Sequence, residues 1–106
     1  MITIDTVREI ALAFPGTEEH THWDRPAFRV KKKIFATIWP VENKVVLILT
    51  PAHQSVYTDL DNQIFYPVDG GWGRKGATYV DLSKVKKAIF KEAISLAWNK
   101  IAIRKQ

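Results

Sequence analysis

The side chains able to do chemistry gather in two stretches. In His20-Thr21-His22-Trp23-Asp24-Arg25, two histidines and a carboxylate recur at every second residue. Such a set can ligate a metal, and a histidine beside an aspartate can exchange a proton. The spacing is not the i, i+4 pair of a helical two-histidine zinc motif, and the third histidine, His53, is remote in sequence. A loop locked by hydrogen bonds therefore accounts for these residues better than a metal or catalytic centre, with Trp23 and Pro26 packing and Asp24 and Arg25 pinning the loop. The second stretch, Pro67 to Leu82, holds four of the chain's five glycines, Trp72 and the adjacent cations Arg74 and Lys75. Gly70, Gly71, Gly73 and Gly76 suit a sharply shaped tip that presents those side chains. Their spacing matches neither a phosphate-cradling loop nor a dinucleotide fingerprint, and a strand pattern follows where those motifs need a helix, so no nucleotide cofactor is implied.

Other catalytic arrangements are poorly supported. The chain has no cysteine, which removes thiolate nucleophiles, disulfides and cysteine-ligated metals. Serines 55, 83 and 95 lack the glycine-flanked turn of a hydrolase nucleophile, and His53 at a helix start reads as a surface residue. Neither a cofactor nor a metal is expected, and an enzyme ranks behind a binding protein.

The cationic positions give a more coherent picture. Lys31-Lys32-Lys33 forms one basic hairpin tip and Arg74-Lys75, beside Trp72, a second; Lys84, Lys87 and Lys91 follow at helical spacing. Cations neutralise phosphates and an exposed indole stacks on a base, so these nine residues are the candidate nucleic-acid contacts. Lysines at tips and helix backs also serve solubility and discourage edge pairing, and Trp72 can instead fold back onto the 20–26 loop.

The elements that must position these residues follow from periodicity. Thr3 caps a first helix with Ile4, Val7, Ile10, Ala11 and Phe14 on one face, stopped by Pro15-Gly16. Residues 17 to 26 lack apolar periodicity and read as a loop. Strands are expected at 27–31, 34–39 and 44–49, forming an antiparallel meander. Thr50-Pro51 opens a second helix to about Leu60, with Val56 and Leu60 on one face. Two strands, 64–66 and 77–82, flank the glycine stretch, and Ser83 caps a last helix from Lys84 to about Arg104. Its wide apolar stripe is suited to lying across a sheet. The fold class is α+β, a two-layer sandwich in the order α-β-β-β-α-β-β-α, with an antiparallel sheet covered by the N- and C-terminal helices.

At 106 residues, 46% hydrophobic and 25% charged, the sequence suits one domain spanning 1–106. The net charge is +5, and residues 54 to 106 carry nine cations against five anions, a balance that favours a polyanion or an acidic partner. Neither a leader nor a membrane-spanning run is recognisable, so a cytoplasmic monomer is expected.

Phe14-Pro15-Gly16-Thr17-Glu18-Glu19, His22-Trp23-Asp24-Arg25-Pro26-Ala27-Phe28-Arg29-Val30, Lys33-Ile34-Phe35-Ala36, Gly71-Trp72-Gly73 and the closing Ala97-Trp98 resemble, in that order, the MmcQ/YjbR-like family. The resemblance implies a CyaY-like fold and a "double wing" DNA-binding role, with no established catalysis. Frataxin-like iron donation fits poorly, because the first helix offers only Asp5 and Glu9 as acids. The expected function is non-specific DNA binding through the two basic tips. The alternative is a protein-interaction or small-ligand module using the cleft between the 20–26 loop and the glycine loop.

Overall fold

The computed structural model describes residues 1–103. Its elements are α1 (Ile4–Leu12), β1 (Glu18–His22), β2 (Arg25–Val30), β3 (Lys33–Trp39), β4 (Lys44–Ile48), α2 (Pro51–Leu60), β5 (Phe65–Pro67), α3 (Gly71–Arg74), β6 (Ala77–Asp81) and α4 (Lys87–Ala102). The strands form one antiparallel sheet in the order β1-β2-β3-β4-β6-β5. The α+β class, the meander and the covering helices are those the sequence predicts. Caps behave as expected at two starts: the Thr3 hydroxyl accepts from the Thr6 amide, and the Thr50 hydroxyl from the His53 amide.

The differences have local causes. The expected loop at 17–26 contains a strand, β1, which pairs with β2 from Glu18↔Arg29 to His22↔Arg25. As an exposed edge strand it needs no apolar alternation, so its sequence carries no hydrophobic signal. Trp23-Asp24 is its two-residue turn to β2, with φ of 53° and 64°, the geometry of a type I′ hairpin. Trp23 does not pack; it is 81% exposed. In α2, Gln54 and Tyr57 turn inward while Val56 and Leu60 are exposed, because the helix lies against β5 on its other side. The glycine stretch folds into the single helical turn α3. Ser83 does not cap α4: its amide and hydroxyl both donate to Asp81 Oδ1, and α4 begins only at Lys87. The predicted helix end at Arg104 lies outside the described residues.

Register separates two faces. Paired positions share a face, so Phe28, Ile38, Val45, Leu47, Val80 and Phe65 lie together, all buried, beneath Val7, Ile10 and Ala11 of α1 and Phe90, Ala93, Ile94 and Ala97 of α4. The alternate residues point away from those helices.

Candidate nucleic-acid interface

The second face is built by cross-strand alignment. Ala27↔Thr37↔Val46↔Tyr79↔Tyr66 forms one row and Trp39↔Lys44↔Asp81 the next, with Arg25 over Trp39. Trp39 meets Tyr79 edge-to-face at 5.3 Å, and Tyr79 meets Tyr66 at the same separation. Such pairs stabilise a sheet beyond their buried area. The Arg25 guanidinium lies 3.7 Å from the Trp39 ring centroid, and Lys44 Nζ lies 5.1 and 5.0 Å from the Tyr66 and Tyr79 rings. This is a half-buried surface of aromatic rings carrying cations.

The electrostatics keep Lys44 charged. Interaction with the Tyr66 hydroxyl raises its ammonium above the ordinary value against the opposing effect of burial, helped by Tyr79 and Asp81. At Asp81 burial is the largest single influence and favours the neutral acid. The hydrogen bonds from the Ser83 hydroxyl and amide, with Lys84 and Lys44, outweigh it, and the carboxyl is held below its usual range.

One end of this face carries α3. Gln54, buried on α2, donates from Nε2 to the Gly73 carbonyl at 2.8 Å and the Ala77 carbonyl at 3.1 Å, fastening the turn to the sheet. Two glycines permit the approach. A Cβ at Gly73 would stand 1.5 Å from the Val68 carbonyl oxygen, and one at Gly76, where φ is +116°, 1.8 Å from that of Leu49. Trp72 is thereby held 46% exposed, and with His22, Trp23, Arg25, Thr37 and Trp39 it lines a concavity of about 290 Å3. Of the two poses considered for Trp72, the structure shows one between them: turned toward the β1–β2 hairpin and still accessible.

The nine sequence-predicted contacts fall into three groups. Lys31 and Lys32 form a second type I′ turn, with φ of 51° and 65°. Lys31 Nζ donates to the Ala102 carbonyl at 2.8 Å, a cation on the C-terminal end of α4, while Lys32 and Lys33 are exposed. Trp72, Arg74 and Lys75 belong to α3 and its cap. Because Ala36 pairs with Leu47, Ile48 with Ala77 and Thr78 with Pro67, the β2–β3 turn and the β5–β6 connection leave the same end of the sheet. Lys84, Lys87 and Lys91 are not gathered with them. Lys84 precedes α4, 4.0 Å from Asp81, and Lys87 and Lys91 are exposed in the helical layer, across the sheet from the aromatic face. Trp98 leaves the lysine row as well: it stacks on Phe14, and its Nε1 donates to the Pro15 carbonyl at 3.1 Å.

Sequence reasoning missed Arg25, Thr37, Trp39, Lys44, Tyr66 and Tyr79 as members of one surface. The available signal was one aromatic or cationic residue, Arg25, Trp39, Lys44, Tyr66 or Tyr79, in each of the five strands β2 to β6. No group of three or more His, Cys, Asp or Glu able to hold a metal ion occurs among the described residues. His20 and His22 stand edge-to-face at 6.1 Å, and the buried His20 Nε2 has no hydrogen-bond partner.

Comparison with known proteins bears on this arrangement. The family model described as YjbR matches residues 12–100. The crystal structure of Deinococcus radiodurans protein DR2400, a DUF419 domain, is similar with a TM-score of 0.82 at 17% identity, over 100% of this chain and 84% of that one. No curated protein sequence matches significantly.

Proposed function

This chain belongs to the YjbR family, and from that premise we propose that it is a binding protein that holds DNA without sequence preference, through phosphate contacts at the basic end of its sheet. The observation that carries the reading is the exposure of Lys32, Arg74 and Lys75, remote in sequence, at that common end. Phosphate contacts position a duplex without reading its bases, and a net charge of +5 adds long-range attraction. Lys33 joins this set. Lys31 contributes less, being engaged by α4; Lys84, beside Asp81, and Lys87 and Lys91, on α4, stand apart from this end of the sheet.

The test is an electrophoretic shift on generic duplex DNA at about 50 and about 200 mM salt. Binding falls steeply with salt, and neutralising Lys32, Arg74 and Lys75 together flattens the logarithmic salt dependence by about three counterions. Unchanged binding by the triple variant contradicts the proposal. A second reading, a module for a small ligand or protein segment, is favoured by the indole-lined concavity between the β1–β2 hairpin and α3. Binding there would depend only weakly on salt.

A further inference from the structure

Trp23 is an unusual choice for its position. The first residue of a type I′ turn needs a positive φ, which Asn, Asp and Gly adopt most readily, and a bulky side chain there is strained. Trp23 sits at φ 53° yet remains 81% exposed, so packing gives little in return for the strain. Strain kept without a packing return points toward a contact made by the side chain. Its neighbours show what kind. Trp23 from the β1–β2 turn, Trp39 from β3 and Trp72 from α3 line one concavity, although they come from three separate elements. At about 290 Å3 the space suits a single planar group better than an extended ligand. Arg25 lies against Trp39 in the same lining. An apolar side chain entering here would strip water from that guanidinium without offering it a partner, whereas a nucleotide brings both a ring to stack and a phosphate to pair.

We infer that this concavity receives an unpaired nucleobase, so that single-stranded DNA is held in preference to duplex. The inference rests on the DNA-binding reading above. Lys33 to Trp39 spans about 20 Å of β3, so one strand laid along the face has phosphates near Lys32, Arg74 and Lys75 while a base enters the indole-lined concavity. Bases stacked inside a duplex cannot do this without being flipped out. Stacking between a base and an aromatic side chain tolerates every base, which is consistent with binding that ignores sequence.

The experiment measures fluorescence anisotropy of labelled oligothymidylate, an abasic strand of the same length and a duplex of the same length, with wild type, Trp23→Gly and Trp72→Ala. Glycine relieves the positive φ at position 23, so that variant keeps its fold, and circular dichroism verifies it. Oligothymidylate is expected to bind tighter than either other probe. Each substitution should weaken it roughly fivefold or more, and by more than it weakens duplex binding, so that the advantage of oligothymidylate over the duplex shrinks. If abasic strand and duplex bind as tightly as oligothymidylate and the variants change nothing, base capture is overturned while DNA binding stands. Binding to none of the three overturns both.

Discussion

Along β4, successive residues meet two different environments. Val45 and Leu47 enter a core of aliphatic and phenyl side chains sealed by α1 and α4, whereas Lys44 and Val46 belong to the face of Trp39, Tyr66 and Tyr79, over which Arg25 and Lys44 place their cations. One set of strands therefore supplies both the surface that holds the fold and the aromatic surface to which the proposal assigns a ligand. Their difference is chemical: the first face carries apolar side chains that only burial can satisfy, while the second lays the half-exposed, amphipathic Arg25, Trp39, Lys44, Tyr66 and Tyr79 over the buried Ala27, Thr37 and Val46. The same strand pairing sets the positions of both faces.

Separate substitutions should pull the two faces apart. Phe28→Ala opens a cavity on the covered face and should cost about 3–5 kcal/mol in chemical denaturation. Tyr66→Ser, on the half-buried face, should cost much less; equal losses would mean that both faces are core. Gly73→Ala comes next. Its Cβ cannot coexist with the Val68 carbonyl, so α3 must shift; overpacking of this kind costs about 1–3 kcal/mol. Trp72 and Arg74 move with it, and nucleic-acid affinity should fall more than in a Phe28→Ala variant measured where that variant is still folded.

The smallest effect is electrostatic. Asp81 has a lowered carboxyl pKa in the folded protein, so its contribution is complete above the unfolded value near pH ~3.9 and is lost as pH falls through the folded value. Asp81→Asn should therefore lower the melting temperature slightly at neutral pH and flatten its decline below about pH 4. A variant that melts in parallel with wild type at every pH contradicts that assignment.

The sequence made the covered face legible because burial leaves a period. The stripes of α1 and α4, the apolar run of β4 and the caps at Thr3 and Thr50 all announce themselves locally. The other face is written in pairings between strands. Trp39, Lys44, Tyr66 and Tyr79 are each visible in the chain, but only register brings them side by side. β1 was hidden because edge exposure removes hydrophobic alternation, and its turn was hidden because Trp23-Asp24 lacks the glycine that signals a hairpin. The glycines at 70–76 correctly announced a shaped segment. Its form as one helical turn depends on Gln54, nineteen residues earlier in the chain.

The four indole N–H resonances provide the most direct test of which face binds. In heteronuclear NMR of the uniformly 15N-labelled chain titrated with oligothymidylate, the signals of Trp23, Trp39 and Trp72 should shift. That of Trp98, bonded to the Pro15 carbonyl in the opposite layer, should stay in place, as should the amides of Lys87 and Lys91. Shifts confined to Trp98 and the α4 amides would put the ligand on the helical layer and contradict the account.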